Sequence, residues 1–184
     1  TAFQTLADAE FSADFTLDTL FDGILDDAAQ ASFKTTKTEA WKSAESFHDA
    51  AQISVSDARA KKNTALQTQS VTDILSALSL MRTALDTVSK SLDSSLETLS
   101  GAIVNSEFPQ ATIDALKASF NTRASATATS KTSVQTSITN LTTGINELEI
   151  RVDDALAKVS TAEQNLALVQ ARYDVLIAKP QSYQ

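Results

Sequence analysis

The sequence predicts an all-α fold: a long antiparallel helical hairpin of the coiled-coil kind, with an additional N-terminal helix packed at its base. Three observations carry that prediction. Only three Gly and two Pro occur in 184 residues, too few for a β-rich chain that needs a turn every ~10 residues. Apolar residues near the C-terminus keep a 3.5-residue spacing through six heptads, the pattern of a bundle or coiled-coil helix. Aromatics make up only 6% of the chain, with Ala, Leu, Ser, Thr and Asp abundant, so the core is expected to be narrow.

Residues 1–35 form the N-terminal segment. The stretch TLDTLFDGILDDAAQASF (16–33) reads as a helix begun near Thr16 or Asp18, with Leu17, Leu20, Phe21, Ile24 and Ala28 on one side. Upstream, EFSADFTL alternates polar and apolar residues as a strand would, and a longer helix from Ala2 fits equally. Helix is the preferred reading. Packed at the hairpin base, it would bury Phe11, Phe15 and Phe21.

Residues 36–180 form the predicted hairpin, followed by a tail at 181–184. The first arm carries Trp41, Ala44, His48, Ala51, Val55, Ala58, Lys62 and Ala65 at helical spacing. Val71, Ile74, Leu78, Met81, Leu85, Val88 and Leu92 follow, and Leu96, Leu99 and Ile103 continue less strictly. The phase shifts between Ala65 and Val71. No Gly or Pro lies between residues 36 and 100, which allows one helix of roughly 65 residues and on the order of 100 Å; the sequence leaves its continuity open.

The strongest turn is GAIVNSEFPQAT (101–112), centred near 104–109. Gly101 suits a helix C-terminus, Ser106 an N-cap and Pro109 a first turn. Folding back there lays the 71–103 seam along the 113–155 seam. A register sum of about 214 would bring Trp41 to Tyr173 as hairpin-base packing.

The returning arm has the most regular seam: Val134, Ile138, Leu141, Ile145, Leu148, Val152, Ala155, Val159, Ala162, Leu166, Val169, Tyr173 and Leu176. Traced backward, it reaches Phe120 and Ile113 through Thr127 and Lys131. The segment NTRASATATSKTS (121–133) offers little but Ala to bury, so close helix approach or local softness is expected. Gly144 falls off the seam at a cost of about 1 kcal/mol. If this seam supports the hairpin, Leu148→Ala should cost ~2 to 5 kcal/mol, while Asp22→Ala should change little.

Chemistry is sparse. The net charge is -8 with no dense Lys/Arg cluster, so a nucleic-acid partner is not expected. No apolar run approaches the ~20 residues that span a bilayer, and no signal-peptide pattern occurs. A chain opening on Thr is expected to have been processed or excised from a longer one. Without Cys, disulfides, thiolate metal sites and cysteine nucleophiles are excluded.

Glu10, Asp14, Asp18, Asp22 and Asp26 form an i, i+4 carboxylate ladder on a helix. Clustered carboxylates can bind a hard cation, but Leu20 stands where a calcium loop of the EF-hand type needs an oxygen. The ladder is therefore read as a solvated acidic face. His48, the only histidine, has no partners for a triad or a zinc site and is read as packing. Arg59, Lys61 and Lys62 are read as a polar helix face. No Gly-rich phosphate loop, nucleophile elbow or HExxH pattern occurs, so no catalytic, cofactor-binding or metal residue is assigned and the chain is expected not to be an enzyme.

The segment AEQNLALVQARYDVLIAKPQ (162–181) resembles the helical region of membrane fusion proteins, the periplasmic adaptor family of the HlyD and MacA type. The matching positions are Leu166, Ala171, Leu176, Ala178, Lys179 and Pro180, and the resemblance is generic outside the last 40 residues or so. It implies a non-enzymatic hairpin that bridges components of an envelope transport assembly. It further implies an extracytoplasmic location, protein partners bound through helical faces or the hairpin tip, room for a homo-oligomer, and membrane attachment only through parent-chain segments. No β-domain halves flank the hairpin here, which implies an excised helical domain, and the tip IVNSEFPQAT lacks the Arg of channel-docking adaptors. Two other readings remain: an extracytoplasmic four-helix-bundle sensory domain, and a virion or filament coiled coil.

Overall fold

Alanine and aliphatic residues spaced three and four apart build four α-helices among the described residues, which in this computed structural model are 2–25, 37–104 and 108–178. They are α1 (Ala2–Leu20), continued by a π-helical turn (Phe21–Leu25), α2 (Thr38–Thr68), α3 (Val71–Ser100) and α4 (Gln110–Ala178). No strand occurs among the described residues. The fold is all-α and built on antiparallel helix pairing, with the N-terminal helix packed against it. The chain divides into two compact units, Thr1–Asn140 and Leu141–Gln184, whose boundary falls within α4.

In the first unit each helix runs antiparallel to the one before it. Between α1 and α2, the Trp41 indole N–H donates to the Ile24 carbonyl at 3.4 Å, and His48 Nε2 lies 3.3 Å from the Leu17 carbonyl. Between α2 and α3, the Ser91 hydroxyl donates to the Ala44 carbonyl at 3.1 Å. Between α3 and α4, Arg82 donates to Gln135 at 2.8 Å and Lys131 pairs with Asp86. The Ser137 hydroxyl donates to Thr5 at 3.1 Å and closes the ring from α4 back to α1. The result is an up-down-up-down four-helix bundle.

Small residues dominate the α2–α3 interface. Ala44, Ala51, Ala58 and Ala65 recur every seventh residue of α2, and Ala77, Ala84, Ser91 and Thr98 do so on α3; all are fully buried. In the register set by the Ser91–Ala44 bond, Ala84 falls opposite Ala51 and Ala77 opposite Ala58. Side chains this small let two backbones approach closely, so many weak dispersion contacts replace a few large ones. The bulk of the core comes from Leu78, Met81, Leu85, Val88 and Leu92 on α3, Leu6, Leu17 and Leu20 on α1, and Phe120 on α4.

The continuity left open by the sequence is decided by a two-residue turn at Gln69 and Ser70. Gln69 adopts the left-handed conformation, φ 50°, and its N–H reaches the Ala65 carbonyl at 2.9 Å. Asp73 anchors the turn by accepting from Lys61 at 2.6 Å and from Thr68 at 2.8 Å. The phase shift expected between Ala65 and Val71 is thus a chain reversal, and the first arm is two helices packed on each other.

Several expectations change with that reversal. Leu148, expected to support the hairpin from the later part of the 134–176 seam, is 60% exposed. Trp41 packs against the end of α1, and Tyr173 is exposed. The turn after Ser100 still pairs α3 with α4 as expected: residues 82 with 135 and 86 with 131 give a register sum of 217. Pro109 precedes α4, and its carbonyl accepts from the N–H groups of Thr112 and Ile113.

The phenylalanines of α1 do not fill the core. Leu6, Ala9, Ala13, Thr16, Leu17 and Leu20 form the buried stripe, and Phe11, two residues past Ala9, lies on the opposite side at 72% exposure. Phe15 and Phe21 are also exposed. Phe11 and Phe15 stack on each other with centroids 6.1 Å apart, and the Arg123 guanidinium lies 4.3 Å above Phe15. The expectations for Asp26, Ala28, Phe33, Ser106, Lys179, Pro180 and the 181–184 tail lie outside the described residues.

In the segment 121–133 the helix leaves a cavity of about 260 Å³ against α1, lined by Thr5, Asp8, Ala9, Thr129, Ser130 and Ser133. The helix is unbroken, and Thr127 sits in the buried column with Ile113, Phe120 and Val134. At Gly23, in the π-helical turn, an added Cβ would stand 2.9 Å from the Phe120 ring. The missing side chain is what lets that ring seat against the turn.

Candidate functional site

Two features stand out: a polar cluster on the α1–α2 face of the bundle, and an apolar seam on the second unit. The cluster joins two sequence features that looked independent. Arg59 Nε and Nη2 donate to Glu10 and Asp14, each at 2.5 Å, and Lys62 pairs with Glu10. Glu10 and Asp14 are one turn apart on α1, and Arg59 and Lys62 three residues apart on α2, so two helical repeats present complementary charge.

Burial alone would raise the Glu10 carboxyl pKa. Hydrogen bonds and charge from Lys62 and Arg59 outweigh it and hold the group below its ordinary value. The Arg59 guanidinium is pushed up, chiefly by its hydrogen bond to Glu10. Asp73, at the α2–α3 turn, is lowered by Lys61 and then Thr68. The three cations read as a polar face therefore each hold a carboxylate across an interface or a turn. A groove of about 320 Å³ beside Arg59 is lined by Asp14, Leu17, Asp18, Gln52, Val55 and Ser56. Within it Arg59 and Asp14 engage each other.

His48 is buried and packs as expected, with the Phe21 ring centroid 6.0 Å away and Asp49 3.7 Å from Nδ1. Among the described residues no group of three or more His, Asp or Glu is arranged to hold a metal ion. No described helix is long and apolar enough to cross a membrane.

The second feature needs no tertiary partner to describe. Every residue from 146 to 178 is helical and exposed. Leu148, Val152, Val159, Leu166, Val169, Tyr173 and Leu176, each more than half exposed, follow steps of three and four along it once Ala155 and Ala162 are counted in. The side chain of Gln170 donates to Asp174 at 3.0 Å, one turn on. A helix in water depends on packing of its apolar face far more than on such pairs, which are worth only about 0.2 to 0.5 kcal/mol each. Its arrangement is that of a surface built to be covered.

No family model, curated protein or solved structure matches this chain.

Proposed function

We propose that the protein is a non-enzymatic structural component that joins parts of an envelope transport assembly by helix-to-helix docking. The observation that supports this most is the exposed heptad seam over residues 146–178. Ordered apolar spacing with no reactive groups along it suits association and offers nothing for turnover. The adaptor-like motif built on Leu166, Ala171, Leu176 and Ala178 lies within that seam region, which is why an extracytoplasmic adaptor is the preferred setting.

The test places a photo-cross-linking residue at Leu166 or Val159 on the seam, and at Asp154 or Glu147 off it, in cells. Adducts with identified envelope transport proteins at seam positions alone are the expected result. Adducts confined to cytosolic proteins, or equal yields from both faces, would reject the reading.

The bundle supports a second reading, an extracytoplasmic sensory domain of four helices. Its up-down-up-down arrangement and the break at Gln69 are features that such a domain would have. Calorimetry with amino acids, dicarboxylates and sugars would give a saturable heat for a sensor and none for a structural module.

A further inference from the structure

The geometry points to a second copy of this chain as the cover of the seam, in a parallel, in-register, two-stranded coiled coil over residues 141–177. This rests on the docking role proposed above and names the partner. Three independent features of the helix select it.

The first is length. From Leu141 to Leu176 the repeat runs five heptads without a slip, beyond the three to four that distinguish a coiled coil from a surface stripe. Ile145, Val152, Val159, Leu166 and Tyr173 fill one core column. Leu141, Leu148, Ala155, Ala162, Val169 and Leu176 fill the other.

The second is side-chain shape. Three of the five residues in the first column are β-branched, and the second opens with Leu141 and Leu148. β-Branched residues in that column with Leu in the other favour two parallel strands.

The third is flanking charge, which decides direction. The positions just before the first column hold Arg151, Lys158 and Arg172, and those just after the second hold Glu149 and Glu163. Two antiparallel copies would set the basic flank against itself and the acidic flank against itself. Two parallel copies avoid both like-charge contacts and place one opposite-charge pair across the seam on each side. Lys158 then faces Glu163 of the second copy, and Asn165 faces Gln170 of the second copy. Arg151 and Arg172 fall beside Leu156 and Ile177 of the second copy, where their aliphatic stems can lie on apolar surface. All of these flanking residues are exposed and none has another described partner in an ion pair.

The absence of Cys makes the test direct. Light scattering of the full chain over a range of concentrations should give twice 19.6 kDa; a monomer throughout, or a trimer or larger, overturns the proposal. Leu148→Cys and Leu176→Cys, each alone and oxidised, should both form covalent dimers, since facing core positions are within disulfide reach. Cross-linking only in a mixture of the two variants would mean antiparallel strands and overturn it. Lys158→Glu should weaken the dimer about tenfold, and Lys158→Glu/Glu163→Lys should restore it; equal affinity in all three overturns the charge assignment. Fluorescence of Trp41, buried in the bundle, verifies that each variant is folded. A monomer whose seam still yields adducts with envelope proteins would remove the second copy and leave the docking role standing, whereas loss of both would remove the two together.

Discussion

Ile113, Phe120, Thr127 and Val134 form the first part of a seven-residue repeat on α4, and Leu141, Leu148, Ala155, Ala162, Val169 and Leu176 form the second. Spacing and register are unchanged from one to the other. In the bundle the column is buried, with Phe120 at 0% exposure, while in the second unit Leu148 is 60% and Leu176 68% exposed. A heptad repeat thus sets which face of a helix is apolar without specifying what lies against it: the first part is buried within the four-helix bundle, and the second part is exposed.

The sharpest way to break this comparison is to truncate one large residue in each part. Phe120→Ala should destabilise the bundle by about 3 to 5 kcal/mol, because the ring is fully buried and seats against Gly23, which has no side chain to fill the space left. Leu148→Ala should leave the bundle unchanged within about 0.5 kcal/mol, as surface truncations do. Urea unfolding followed by Trp41 fluorescence reads the bundle selectively, since Trp41 is the only tryptophan. Similar costs for both variants would mean that the two parts of the repeat share one core.

The next effect concerns how the bundle is covered. Ala84 is fully buried facing α2 in a stripe of small residues, so Ala84→Leu should cost about 1 to 3 kcal/mol by forcing the helices apart. An alanine of the second unit, Ala162, is exposed, and Ala162→Leu should cost the bundle nothing while adding apolar surface to the seam. Urea midpoints and the dimer dissociation constant measure the two effects separately.

Acid should act on the bundle's polar face before its core. Glu10 and Asp73 titrate below their ordinary values when folded. Their contribution is complete above the unfolded carboxylate range and disappears as pH falls through the lowered folded values. For Glu10, which bridges Arg59 and Lys62, a loss of up to about 1 kcal/mol is expected, as for a partly exposed ion-pair network. Glu10→Gln should flatten the stability profile below the carboxylate range, checked by urea midpoints across pH. An unchanged slope would show that the network contributes nothing measurable.

What was legible in the sequence follows the range of the interaction involved. Helical periodicity is local, and so is the Gly101 and Pro109 punctuation, so the all-α class and the α3–α4 pairing could be read to within three residues of register. The reversal at Gln69 could not, because it uses neither Gly nor Pro. It rests on a left-handed Gln and on side chains of Thr68, Asp73 and Lys61 meeting only in the folded turn. The phase shift was its one visible trace. Expecting Phe11, Phe15 and Phe21 inside assumed that the largest apolar residues make the core, whereas here alanine spacing chooses the buried face. The pairing of Glu10 and Asp14 with Arg59 and Lys62 spans some 45 to 52 residues; complementary spacing hinted at it, and only the fold brings the helices together.

The smallest effects lie where each part of the α4 repeat is least suited to its surroundings. Thr127 is buried with a hydroxyl that has no hydrogen-bond partner, although a helical Thr ordinarily donates to the carbonyl four residues back. Thr127→Val keeps the shape, removes the unsatisfied group and should stabilise the bundle by about 1 kcal/mol. In the second unit the corresponding weak point is Gly144, where an added Cβ would meet nothing within 4 Å. Gly144→Ala should raise helix propensity by up to about 1 kcal/mol and increase helical circular dichroism without moving the Trp41 unfolding midpoint. If Gly144→Ala moves that midpoint as much as Thr127→Val does, the two parts of the helix unfold as one cooperative unit, and the contrast drawn from their exposure does not extend to their stability.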